Sequence, residues 1–539
     1  MKAIIVAIVA MMMIIKPVRV YVGGGMLDLI ETSVLNSKFP PRRSEWALDG
    51  NYAPIREERE FRIKGTFPDD MERGAFLRIG PNPQYDPKGG YHWFDGDGMI
   101  HAVFFGNGND TISYENRYVR TPRWIHENSI GKETYLKLGS MQGIGGLIKI
   151  LVLSPLRKLL GVIPSRENKD GTANTNLLYW NHRLLALVEN ALPFRVRVEN
   201  QDISSIGYED MNSLLNFPVI AHPKVDRRTG ELMALGYILN DAEVDARYAV
   251  FRPTSSETGR DIEKITEFPL KFNQKVMIHD MAITDKYTIV PEFSLAFKPK
   301  EMVKTDQVFQ LDYNSSARFH VFPRYAKSQK DQNMIFDLGE PGMGFHMMNA
   351  YDHSNRVVRV VGCFMNKFSM GFGEKKGETE NATLIEWSLD LISGSATKRV
   401  LYDRHNIEFV RVREDRVGVK NRYGFGGLQH MADGGPKFYG FVKIDMLGDD
   451  EPKEIFFPPN RVGGEMIFVP RRGGDSDVDG DDGYMMGFLY DELYAQSELV
   501  IYDAKTMLQE PISKLLIPQR VPFGFHATWL SDVEISSLL

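Results

Sequence analysis

From about Trp46 onward the chain alternates short apolar and aromatic runs with Gly, Pro, Asn and Asp. FLRI at 76–79 breaks at GPNP (80–83), LLYW fills 177–180 ahead of Asn-His-Arg, LLALV fills 184–188 and VVRVV fills 357–361. Runs of four to eight residues, β-branched or aromatic and bounded by turn formers, predict short strands, and many of them in series predict a sandwich, a barrel or a propeller. In 539 residues so many strands would leave exposed sheet edges unless the sheets close radially, which favours an all-β β-propeller. No WD or kelch signature marks the blades, so the repeats are degenerate.

Two stretches depart from this pattern. Residues 1–45 form an N-terminal apolar segment and linker ahead of a propeller domain at 46–539. The segment opens MKAIIVAIVAMMMII, apolar without interruption from Ala3 to Ile15. That run is too short to cross about 30 Å of hydrocarbon as a helix and has the length of a signal-peptide core. No small-residue cleavage site follows; Lys16-Pro17-Val18-Arg19 comes instead. Three readings stay open: a targeting segment, an anchor dipping into a membrane, and a buried N-terminal element. The second stretch, residues 143–163, is rich in aliphatics with Lys149, Arg157 and Lys158 and no acid. Ser154-Pro155 reads as an N-cap followed by proline at the first helical position. The resulting helix pair suits either a membrane surface, with cations for headgroups, or the protein core.

A formal net charge of −6 and a pI near 6.1 give no basic footprint, which argues against nucleic acid as a partner. The single cysteine, Cys363, excludes an internal disulfide and any cysteine-built zinc or iron–sulfur site. A bound metal would fall to His and carboxylates. The acidic run Asp475-Ser-Asp477-Val-Asp479-Gly480 imitates the start of an EF-hand loop, but Met486 stands where the bidentate Glu belongs, so calcium is rejected there and the run reads as a solvated loop.

Four of the twelve histidines share a setting: His222 in FPVIAHPK, His279 in VMIHDMAIT, His346 in GFHMMNA and His526 in GFHATW. Each follows apolar residues and is followed within a few positions by a small or turn-type residue, as if strands delivered imidazoles to one place. The intervals 222 to 279, 279 to 346 and 346 to 526 are 57, 67 and 180 residues; the first two approximate one blade with its loops and the third approximates three. One imidazole per blade, aimed at the axis, accounts for them. A lone His on an apolar segment is more often a hydrogen-bonded core residue, and four in matched settings weigh against that reading. Imidazole suits Zn, Cu, Fe and Ni alike. Ligating histidines also require an acceptor at the second ring nitrogen. Glu189 after LALV, Glu408 between Ile407 and Phe409, and Glu465 before MIFV sit in apolar strand settings where an unpaired carboxylate is costly, and are the natural candidates.

Several ordered motifs resemble the carotenoid cleavage oxygenases, and of these the plant and algal dioxygenase branch. They are FLRIGPNP (76–83) with YHWFDGDGMIH (91–101), GTANTN (171–176), AHPKVD (221–226), HDMAIT (279–284), ARF (317–319) with PRY (323–325), and VPFGFH (521–526). The resemblance spans about Trp46 to Leu530. It implies a seven-bladed propeller with a dome of helices and loops over one face. Ferrous iron would be held by His222, His279, His346 and His526. Glu189, Glu408 and Glu465 would support three of these ligands, leaving His222 without one. Thr175 would lie on the dioxygen side of the iron. Phe345, Phe409 and Phe525 would line a substrate tunnel, whose wall differs from some members at Val188. The implied reaction is cleavage of a carotenoid or apocarotenoid C=C bond with O2 to aldehydes or ketones; ester isomerohydrolysis and stilbene cleavage occur on the same scaffold. The resemblance favours a membrane-surface role for residues 143–163. It also implies a peripheral membrane-associated, intracellular protein, with a plastid among its locations and no obligate protein partner.

Overall fold

A computed structural model describes residues 19–40, 49–106, 112–164, 166–239, 244–254, 261–331, 333–368, 381–432, 435–473 and 479–538. The apolar run 3–15 and the acidic residues Asp475 and Asp477 lie outside these, so the targeting and calcium readings are not addressed by it. Seven antiparallel sheets of four or five strands follow one another along the chain, with a two-stranded sheet of Leu295–Phe297 and Phe309–Leu311 inserted within the fourth; they form the expected seven-bladed propeller.

Blade 1 is built from both ends of the protein. Its strands Glu60–Ile63, Ile112–Tyr118, Asp97–Phe105 and Gly74–Asn82 lie in that spatial order, and the C-terminal strand Ala527–Ser531 completes the edge beside Gly74–Asn82. The pairing runs from Gly74↔Ser531 to Arg78↔Ala527 and buries Leu530 fully, a side chain worth about 1.5–3 kcal/mol on transfer from water. Closure by a late strand removes the open edge that a propeller would otherwise keep. Just before it, residues 522–526 press onto the neighbouring strand. A Cβ on Gly80 would lie 2.5 Å from the Gly524 Cα, so this backbone contact requires glycine at 80.

Blades 2 to 6 are four-stranded and blade 7 is five-stranded, each a single unit in chain order. Blade 2 begins at Asn176–Trp180, blade 3 at Lys224–Asp226, blade 4 at Ala282–Ile283, blade 5 at Met347–Asp352 and blade 6 at Asn406–Arg411. Blade 7 starts with Arg461–Val462 and Ile467–Pro470, which both pair with Gly483–Asp491. Fully buried aliphatics and aromatics at alternate strand positions, such as Val358 and Val360, fill the spaces between blades.

The helices lie outside this ring. Segments Gly143–Ile148, Lys149–Leu153 and Ser154–Leu159 follow directly on one another, with Lys149 and Ser154 both in right-handed helical geometry. They make one helix, not the expected pair, and Ser154 is not an N-cap. Pro155 has no N–H to donate to the preceding turn; the chain opens a wider turn just ahead of it, where the Ser154 N–H reaches the Lys149 carbonyl.

A second helical stretch, Arg19–Gly23 through Asn36–Lys38, packs on the first through Leu27, Leu35 and Leu153. This overturns the expectation that the cations of 143–163 face headgroups. Arg157 is buried against Glu31 and Asp28, 2.7 Å from each, and Lys149 is buried 3.6 Å from Glu31. Of the three cations only Lys158 is exposed. The opposite faces remain apolar and open, with Leu151, Val152, Leu159, Tyr21, Met26 and Leu29 exposed. Among the described residues no helix is long and apolar enough to cross a membrane. A further helix, Pro122–Ile130, was not anticipated, although its signals are local: Thr121 caps the Trp124 N–H, proline takes the first position and Gly131 ends it at φ 74°.

Candidate metal centre

Each of the four candidate histidines stands immediately before, or two or three residues before, an edge strand of its blade. His222 precedes blade 3, His279 blade 4, His346 blade 5, and His526 the strand that closes blade 1. Blades 2, 6 and 7 supply Glu189, Glu408 and Glu465 instead. Every blade therefore contributes one of these seven side chains to the axis, and the 180-residue interval is the passage through blades 5, 6 and 7. Backbone bonds fix the approach of His526: its N–H donates to the Thr175 carbonyl (3.3 Å) and its own carbonyl accepts from Ile79 (3.0 Å).

The four histidines offer nitrogens that all lie within 4.8 Å of one another. Nε2 of His346 is 3.3 Å from Nε2 of His279 and 3.2 Å from Nε2 of His526. The other ring nitrogens face carboxylates. Nδ1 of His346 is hydrogen-bonded to Glu408, Nδ1 of His526 lies 3.2 Å from Glu465, and Nδ1 of His279 touches Glu189 at 2.6 Å, off the line of a straight hydrogen bond. Among the described residues no glutamate contacts His222.

Those contacts set the tautomers. A proton on Nδ1, donated to the carboxylate, leaves a lone pair on Nε2. Even if His346 carried a second proton, only one of its two Nε2 neighbours could accept it. Among the described residues the buried Nε2 of His222 has no hydrogen-bond partner. Converging lone pairs in a buried site are unfavourable unless a cation satisfies them. Metal–nitrogen bonds of about 2.0–2.1 Å place neighbouring nitrogens about 2.9–3.4 Å apart, from right-angled to tetrahedral arrangements; the 3.2 and 3.3 Å separations fall in that range. The donor set fits a divalent metal.

Electrostatics point the same way. Burial, reinforced by the neighbouring histidines and Lys224, holds His222 well below the usual imidazole range. Burial also lowers His526, with Glu465 offsetting it in part. For His346 burial acts downward, but the Glu408 carboxylate outweighs it and the net shift is upward. Burial would raise Glu189 and Glu465, yet His279 in one case and Arg411 with His526 in the other bring both below the usual range. These two carboxylates are thus ionised acceptors close to a site that would carry a +2 ion.

A cavity of about 600 Å³ opens onto the histidines and is lined by His279, His346 and His526. All the residues expected on the tunnel border it: Phe345, Phe409, Phe525 and Val188, together with Thr175. The Thr175 hydroxyl donates to Asn174 Oδ1 at 3.0 Å. Phe409 stands at φ 51°, where its strand slips register after Glu408. The left-handed geometry of a non-glycine residue costs about 1–3 kcal/mol. It turns the ring into the site, stacked on Phe438 at 4.8 Å and edge-on to His526 at 4.9 Å. Trp93, Phe94 and Phe438 add to the aromatic wall and were not anticipated. The first two lie inside the YHWFDGDGMIH motif, a signal that was there to be used; Phe438 carries no local signal.

Residues 52–531 match the family described as Retinal pigment epithelial membrane protein. Over 533 residues the chain is 34% identical to the carotenoid 9,10(9',10')-cleavage dioxygenase 1 of Arabidopsis thaliana, spanning 95% of this chain and 94% of that protein. It is 33% identical over 526 residues to the chloroplastic 9-cis-epoxycarotenoid dioxygenase NCED6 of the same plant, at 95% and 87% coverage. Among solved structures, the lignostilbene dioxygenase of Pseudomonas brassicacearum superposes with a TM-score of 0.75 at 26% identity, over 91% of this chain and 99% of that one. With its propeller, its four-histidine cluster, a family match over residues 52–531 and relatives matched over about 95% of its length, the chain belongs to the carotenoid oxygenase family, that of the retinal pigment epithelial membrane protein.

Proposed function

We propose that this protein is a non-haem iron(II) dioxygenase that cleaves one C=C bond of a carotenoid or apocarotenoid with O2. The observation that carries the reading is the convergence of four imidazoles, with three glutamates behind them, at the wall of an aromatic cavity. His222, His279, His346 and His526 would hold the metal, with Glu189, Glu408 and Glu465 keeping three rings in the ligating tautomer. Ferrous iron bound there would supply the electrons that make O2 reactive toward a conjugated alkene. The balance is simple: one alkene and one O2 give two carbonyl compounds, each keeping one oxygen atom.

The chain's own part is to position and to dry. Phe345, Phe409, Phe525, Trp93, Phe94 and Phe438 offer flat apolar faces to a polyene, keep water from the site and set which double bond lies beside the histidines. Thr175, on the same wall, narrows the space for the smaller reactant. No acid–base dyad is needed. The exposed apolar faces of the two packed helices support a membrane contact through which an insoluble polyene would enter, and relatives named chloroplastic support a plastid location.

A stilbene-type substrate is the second reading. Lys137, which borders the cavity and whose nearest acid, Glu133, is 3.9 Å away, offers the polar grip that a phenol would require. Protein reconstituted with Fe(II) and incubated under 18O2 with β-carotene, apocarotenals, a hydroxystilbene and a retinyl ester decides between them. One labelled oxygen in each of two fragments of a polyene is expected. Turnover of the stilbene alone selects the second reading, and ester turnover without O2 uptake sinks both.

A further inference from the structure

Among the described residues His222 is the one candidate ligand that no glutamate contacts, and an unsupported ligand needs its position fixed by other means. The structure shows a tie that does this without touching the ring. Asp280, directly after His279, is buried to 2% exposure, and its carboxylate reaches the chain on three sides. Oδ2 accepts from the N–H of Met347, the residue after His346, at 2.7 Å. Oδ1 accepts from its own neighbour Met281 at 2.7 Å and meets the ammonium of Lys224, two residues after His222, at 2.6 Å. The backbones of His222 and Asp280 are also joined by an isolated parallel bridge. One carboxylate therefore links the segments carrying His222, His279 and His346, which start blades 3, 4 and 5.

The remaining sides of the frame are closed elsewhere. The Asn176 amide donates to the Ala221 carbonyl at 2.8 Å, while Thr175 next to it accepts from the His526 N–H. Glu465 accepts both from the His526 ring and from the Ala527 N–H, the latter at 2.7 Å. Asp280 and Glu465 thus do the same thing on opposite sides: each grips the N–H that follows a histidine, and only Glu465 also touches the ring.

We propose that Asp280 is a positioning residue for the metal centre, clamping the backbones of three ligand segments so that the unsupported His222 meets the ion in register with His279 and His346. The proposal rests on the four-histidine metal reading above. Buried charge-assisted hydrogen bonds are strong and directional, and a shift of a few tenths of an ångström in one strand start would move a ligand off the common point. A carboxylate serving stability alone would leave metal affinity and coordination geometry unchanged in any variant that still folds.

The test is cobalt(II) titration of the metal-free protein, read as a dissociation constant and as the ligand-field absorption of the bound ion, with thermal melting of each metal-free protein alongside. Asp280→Asn, which keeps one acceptor oxygen but loses the charge facing Lys224, is expected to bind cobalt(II) about tenfold more weakly with an altered spectrum; Asp280→Ala is expected to lose about a hundredfold. Wild-type affinity with an unchanged spectrum in either variant overturns the proposal. So does failure of both variants to fold, which assigns Asp280 to stability. A wild-type protein that takes up no cobalt(II) instead overturns the metal centre itself, a result separable from any effect of Asp280.

Discussion

At the scale of single residues the centre works through pairs. An imidazole whose Nδ1 proton is held by a carboxylate presents its Nε2 lone pair inward, so removing the carboxylate frees the ring to rotate or change tautomer. Glu408→Gln is expected to weaken metal binding about 10–100-fold while the fold persists, measured by metal content after dialysis against a chelator. His526→Ala removes a ligand outright and should leave no retained iron; a variant with full iron and activity would refute the assignment. Phe409 calls for a different readout. Its ring is aimed by a strained backbone at φ 51°, and Phe409→Ala keeps the histidines but removes the face stacked on Phe438. The expected result is a changed ratio of cleavage products at unchanged metal content, read by mass spectrometry; an unchanged product ratio would remove Phe409 from substrate positioning.

At the scale of elements, the two packed helices are held by buried charges as well as by leucines. Asp28 and Glu31 face Lys88, Lys132, Lys149 and Arg157. Arg157→Met strips the buried Glu31 of its nearest cation. Breaking such a pair costs about 3–5 kcal/mol, so residues 19–38 should detach first, seen as proteolysis near residue 40 at temperatures where the propeller stays intact. The sequence showed an aliphatic stretch with three cations and could not show where the cations point. Their partners lie more than a hundred residues away, and apolar periodicity is blind to which face a second helix will cover. The caps of Pro122–Ile130, in contrast, are local chemistry and were legible in Thr-Pro and Gly.

At the scale of the whole molecule, the last strand completes the first blade and the residue before it completes the metal site. Loss of the strand Ala527–Ser531 with His526 should therefore abolish activity and also open the ring. Because the four histidines belong to blades 1, 3, 4 and 5, a bound ion cross-links distant parts of the chain and stabilises only the folded state. Removing the metal is expected to lower the melting temperature. The gap between loaded and stripped protein should widen as pH rises through the raised titration range of His346, whose proton competes with the ion, while burial holds His222 and His526 below the usual imidazole range. A gap that does not depend on pH would argue against imidazole ligation.

Much was set by the sequence alone. Alternating apolar positions and turn residues act over a few residues, so the strands were legible; and because one blade follows another, histidines spaced by the blade pitch of 57 and 67 residues marked the axis. Glutamates in apolar strands are costly unless paired, which singled out Glu189, Glu408 and Glu465. Only the tertiary structure decided the partners. Glu189 of blade 2 reaches past blade 3 to His279 of blade 4, Asp280 ties three blades together, and Phe438 enters the cavity by stacking on Phe409. Those contacts arise because closing the ring brings the inner edges of all seven blades to one axis, where distance along the chain no longer limits which side chains meet.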